Sequence, residues 1–170
     1  LERFIAELEA LPAKQIEYVR ACARMSEITA ADRSPQATAE ALAWLNRGIH
    51  YWPESVEALV YRARFYRENT EIPDIDEEDR PTLARNDLEA CDARGTDNPR
   101  IRLFLATEWL AHNELDRTAA ELQAAQELPQ AALVEQFFDL DEWTITRFLL
   151  NAELARRRGT PAEAATLADQ

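Results

Sequence analysis

Small side chains recur along this sequence at two fixed intervals, and that recurrence limits the folds open to it. Ala41 to Ala63 and Ala84 to Ala106 are each 22 residues apart, while Ala106 to Thr118 and Ala152 to Ala164 are each 12 apart. The two intervals together make 34. Paired helices approach closely only where their contact positions are small, and large neighbours then fill the holes beside them. A period of this size marks stacked supersecondary units, none of which buries its apolar face alone.

The chain between these positions reads as helix throughout. It has three glycines in 170 residues, and Ala, Leu, Glu and Arg, all helix formers, dominate. No alternating apolar run suggests a strand, so the fold class is all-α. Caps and breakers divide the chain. A first helix, "LERFIAELEAL", runs to Pro12, and a second runs from about Ala13 to Ala31. Ser34 and Pro35 start a third that ends near Tyr51, and after Trp52-Pro53 a fourth runs from Ser55 to about Asn69. The fifth starts near Asp79-Arg80-Pro81 and stops at Gly95. Asn98-Pro99 starts the sixth, ending near Asn113, and the seventh spans about Glu114 to Leu128. A shorter piece, "QAALVEQFF", follows; Asp141 then opens a long helix ended by Gly159. Thr160 and Glu163 form a capping box for a final helix.

The side chains around the recurrent positions resemble the tetratricopeptide repeat, W-x2-L-G-x2-Y…A-x3-F…P. First helices read Leu59-x2-Arg62-Ala63-x2-Tyr66 and Arg102-x2-Leu105-Ala106-x2-Trp109. Second helices read Ala41-x3-Leu45 with Gly48 and Pro53, Ala84-x3-Leu88 with Cys91, and Thr118-x3-Leu122 with Ala125. Cys22 and Ala152 complete the first-helix set. The resemblance implies a single domain over 1–170, an α-solenoid of antiparallel helix pairs forming a right-handed superhelix. It is degenerate: seven, nine and twelve extra residues enter after Cys22, Ala63 and Thr118, and Arg62, Arg102 and Asn151 stand where bulky apolar groups are usual. A generic Ala-rich helical bundle is the alternative. Because Leu1 falls inside a helical pattern, the sequence reads as a piece of a longer chain.

The chemistry-bearing residues point away from an enzyme. His50 and His112 fall near the ends of different helices without metal-ligand spacing, and no phosphate-cradling glycine loop or nucleophile motif is present. Cys22 and Cys91 form neither a CxxC nor a disulfide framework. No catalytic, cofactor or metal residues are expected. The net charge of −13 lacks the basic stripe that nucleic acid requires. No apolar run reaches the ~18 residues of a membrane span. Residues 68–79, "ENTEIPDIDEED", carry seven carboxylates and no base. Asp74 and Asp76 give the start of a calcium-loop spacing, but the glycine and the closing glutamate are missing. That segment is read as a solvated loop, or as a docking loop for a cationic partner.

In the tetratricopeptide family the first helix of each pair lines the concave face. The resemblance therefore implies a groove for a protein or peptide partner, contacted by Arg20, Tyr61, Arg64, Arg67, Phe104, Thr107, Leu110 and Arg156. Val19, Ala23, Val60, Leu103, Leu149, Leu150 and Glu153 share the same face. If the segment 130–140 covers Leu103, Phe104, Leu149 and Leu150, that part of the groove closes. The family's chaperone-tail clamp is absent, since its positions hold Val19, Ala23, Val60 and Arg64. The expected function is a non-enzymatic interaction scaffold. The alternative is a structural module of a secretion or exopolysaccharide export assembly whose acidic surface meets a cationic polymer or partner.

Overall fold

The computed structural model describes Arg3, residues 14–128 and residues 140–160. Seven helices lie among them: α1 (Gln15–Ala30), α2 (Pro35–Tyr51), α3 (Val56–Glu68), α4 (Arg80–Arg94), α5 (Pro99–Ala111), α6 (Leu115–Glu127) and α7 (Leu140–Arg158). The expected first helix, the piece after Pro129 and the capping box of the final helix fall outside the described residues. The chain forms two compact units, Leu1–Gly95 and Thr96–Gln170.

Helix starts are fixed by side-chain oxygens. The Ser34 and Ser55 hydroxyls accept from the Ala37 and Ala58 amides, and Asn98 Oδ1 accepts from Arg100 and Ile101. These bonds satisfy donors that the first helical turn leaves without partners. Asp79 differs. It occupies the N-cap of α4 in a helical conformation and makes no capping bond. The ends follow the expected breakers, with Gly95 and Gly159 at positive φ beyond α4 and α7.

In the first unit α1 pairs with α2 and α3 with α4, in sequential antiparallel-like fashion, and α3 also touches both α1 and α2. The small residues lie in the contacts: Cys22, Ala41, Ala63 and Ala84 are all buried. Gly48 shows how close the approach is. A Cβ there would stand 3.4 Å from the Cys22 Cβ and 3.9 Å from the Val19 Cα. Beside this contact Tyr18 stacks on Tyr51 with ring centroids 4.1 Å apart, and Arg47 Nε donates to the Tyr18 hydroxyl at 2.7 Å.

In the second unit α5 pairs with α6, and α7 touches both. Ala106 and Thr118 are fully buried at the α5–α6 contact. Leu103, Leu122, Ala125, Trp143 and Leu154 form the core with Ala106. Ala152, expected at the contact, is half-buried, and Leu154 with Ala155 is buried instead. The end of α7 is fastened by its arginines. Arg157 Nη1 donates to the Leu110 carbonyl at 2.6 Å, and Arg158 Nη2 to Asp116 at 2.7 Å and to the Leu115 carbonyl at 3.2 Å. Arg157 thereby adds a second donor to the Leu110 carbonyl, which also accepts from the Asn113 amide at 3.0 Å.

Of the three positions that depart from the apolar repeat pattern, Arg62 and Arg102 form ion pairs, while Asn151 donates to the Arg147 carbonyl at 2.9 Å. Arg62 on α3 makes two bonds to Asp87 on α4, at 2.8 and 2.6 Å, and a third to Asn46 on α2 at 2.8 Å. Arg102 on α5 reaches Glu121 on α6 at 3.0 Å. Asp87 and Glu121 each stand three residues after the small residue of a second helix, Ala84 and Thr118. The same register position thus supplies the acid in both pairs.

Candidate functional site

The first unit has an open pocket of about 650 Å³. The C-terminal half of α1 forms one wall through Ala23, Ser26, Glu27 and Ala30, and α3 forms the other through Tyr61, Arg64, Phe65 and Glu68. Thr38 and Leu45 of α2 lie between them, and residues 31, 33 and 69–71 border the mouth. The pocket exists because α1 and α3 are both first helices, set side by side over α2. On the α1 side the lining includes the short side chains of Ala23 and Ala30.

Two of the eight expected partner-binding residues, Tyr61 and Arg64, line this pocket. Arg20 and Tyr61 meet on Glu57, a buried carboxylate of α3. Arg20 donates to it from Nε at 2.8 Å and from Nη2 at 3.2 Å, and the Tyr61 hydroxyl donates at 3.1 Å. Hydrogen bonding to Glu57 raises the Arg20 pKa above its ordinary value, outweighing the opposing effect of burial. Arg64 and Arg67 share Glu68, at 2.8 and 3.4 Å. The arginines of this unit's set therefore carry carboxylates of their own chain. The sequence pattern marked the arginines but not these acids, whose signal is a Glu four residues before Tyr61 and four after Arg64.

The other four residues belong to the second unit. Phe104 is half-buried with the Arg100 guanidinium 5.6 Å over its ring. Thr107 turns its hydroxyl back to the Leu103 carbonyl at 2.8 Å. Leu110 is buried, as is Leu103 in the core of that unit. Arg156 is exposed and clasps Glu153 with two bonds of 2.6 Å. Together with Arg157 it holds the Glu153 carboxyl down to about 2 from an ordinary 4.5. Of the remaining concave set, Val19, Ala23 and Val60 are buried, while Leu149 is exposed. A smaller pocket of about 380 Å³ in this unit lies between α6 and α7. None of the eight expected residues lines it.

The acidic segment is shaped by backbone and by one arginine. Ile72 and Ile75 form an isolated bridge around Asp74, whose φ is positive. The largely buried Arg80 donates to the Asn69 carbonyl at 2.6 Å and pairs with Glu77 at 3.2 Å. Among the described residues no group of three or more His, Cys, Asp or Glu is placed to hold a metal ion. No described helix is long and apolar enough to cross a membrane.

Comparison with family models, curated proteins and solved structures gives no match for this chain.

Proposed function

We propose that this chain is a non-enzymatic interaction module of the tetratricopeptide type, which takes a segment of another protein in the groove between first helices. The solenoid reading draws on the residue pattern and on the stacking within each unit, where a first helix touches both helices of the pair before it. The observation that carries the functional reading is the open pocket between α1 and α3, on the face the repeat pattern assigns to ligands. Its walls combine Phe65, Leu45 and small alanines with the hydroxyls of Ser26, Thr38 and Tyr61. An aromatic or aliphatic anchor fits such walls, and a few buried anchors carry most of the energy of an interface.

Peptides selected from a random dodecapeptide library on the full chain test this reading by calorimetry. Arg64→Glu is expected to weaken them about fivefold while leaving the helical circular dichroism unchanged, since the pair it breaks is exposed. Ala31→Trp, at an exposed position on the pocket mouth, is expected to weaken them further. Unaltered affinity in both variants would remove the groove from the account.

A second reading, an acidic structural module that meets a cationic polymer, draws on the α3–α4 loop. The Ile72–Ile75 bridge and Arg80 hold that run of carboxylates in a defined shape. Saturable, salt-sensitive binding of a cationic glycan would favour it over the groove reading.

A further inference from the structure

The α1–α3 pocket stands where two helices end. α1 stops at Ala30 and α3 at Glu68, and the lining follows them to Ala31 and Asn69. The last turn of a helix exposes carbonyls and carries the negative end of the helix dipole. The start of α2 reaches the same pocket through Thr38, but its positive end is already answered: Ser34 caps it and donates in turn to the Asp32 carboxylate at 2.8 Å. The inner side chains share the bias toward acceptors. Thr38 gives its hydroxyl proton to the Ser34 carbonyl at 3.0 Å, and Asn69 turns its amide nitrogen to the Phe65 carbonyl at 2.8 Å. These two residues therefore meet a ligand with oxygen. The Tyr61 hydroxyl proton is committed as well, to Glu57.

Ser26 of α1 is an independent observation. It lines the pocket at 3 % exposure, and its hydroxyl has no hydrogen-bond partner among the described residues. Buried polar groups are normally paired, and one left open on a cavity wall calls for a partner from outside the chain. The exposed charges of the lining do not reverse the bias, since Glu27 is held by Arg24 and Glu68 by Arg64 and Arg67, while Arg33 and Glu71 have opposite signs. We propose that the group entering this pocket is a lysine ammonium of the partner segment. Three N–H donors on one atom suit the oxygens of Ser26 and Thr38 and the helix-end carbonyls, and a cation is the charge that helix C-termini favour. The aliphatic stem lies against Ala30 and Ala31. A carboxylate, which only accepts, would find few donors there. The net charge of −13 draws basic segments toward the chain from a distance. This inference rests on the groove reading and adds the residue the pocket selects; Arg64 stays on the exposed rim for another residue of the same segment.

The test takes dodecapeptides selected on the native chain and measures them by calorimetry against the native chain, Ser26→Ala and Ala31→Trp. The selected peptides are expected to share one lysine. Replacing it by norleucine, which keeps the stem and drops the ammonium, should weaken binding about tenfold. Ser26→Ala, with its helical circular dichroism unchanged, should weaken the lysine peptide about fivefold and leave the norleucine peptide unaffected. Peptides that are lost on Ala31→Trp yet share no lysine, that bind as well with norleucine, or that lose equally on Ser26→Ala with either residue overturn this inference and leave the groove reading standing. Recovery of no binding peptide, or of peptides indifferent to Ala31→Trp, overturns both.

Discussion

Trp109→Ala is expected to lower the stability of the chain by about 3–5 kcal/mol, the range for removing a large aromatic side chain from a packed interior. Trp109 is fully buried in α5, and the Arg117 guanidinium lies 4.3 Å over its ring from α6. It fills the large-residue position three after Ala106, the hole opened by the small residue beside it. Truncation leaves a void that the α5–α6 pair cannot close, because Ala106 and Thr118 already hold the helices at close approach. Domains of this size are stable by only about 5–15 kcal/mol, so the loss is a large fraction of the whole. Urea unfolding followed by circular dichroism should show an earlier midpoint for the Thr96–Gln170 unit. Trp109→Phe, which keeps most of the volume, should cost about 1–2 kcal/mol. Equal losses for the two variants would show that the ring does not fill this hole.

Asp87→Ala is expected to cost about 3 kcal/mol, for a different reason. Asp87 is buried and takes both bonds of the Arg62 fork, which also bridges to α2 through Asn46. Removing the acid leaves a largely buried guanidinium with one neutral partner, and breaking a buried pair is far more costly than never having built it. The Asp87 carboxylate raises the Arg62 pKa, chiefly through its hydrogen bonds; with that partner gone the guanidinium still stays charged, because arginine is not deprotonated in proteins. The double variant Arg62→Leu with Asp87→Leu should recover most of the loss. Arg62 corresponds in the repeat register to Leu105, a buried leucine of α5. A coupling energy of about 2 kcal/mol between the two sites is the expected outcome of the cycle. Additive losses would mean that the two side chains act independently.

These two sites show what the sequence makes legible and what it hides. Trp109 could be placed in advance, because its spacing from Ala106 repeats that of Tyr66 from Ala63, and all four are buried. The helix starts at Ser34, Ser55 and Asn98 were equally legible, since a capping oxygen acts on amides two or three residues away and needs no tertiary information. Arg62 and Arg102 looked like breaks in the pattern. Their partners come from another helix, 25 residues away for Asp87 and 19 for Glu121, and no local rule names them. The same holds for the groove. Tyr61 and Arg64 were placed by register, but Val60 and Leu110 lie on that face and are buried, because a helix face is wider than the strip a neighbour leaves open.

Nuclear magnetic resonance of the isotopically labelled chain, titrated with a peptide selected on it, tests the interaction reading most directly. The account predicts that amide shifts concentrate on residues that line the α1–α3 pocket, such as Ala23, Ser26, Thr38, Leu45, Tyr61 and Phe65. Saturating shifts confined to α6 and α7, with those residues unmoved, would contradict it.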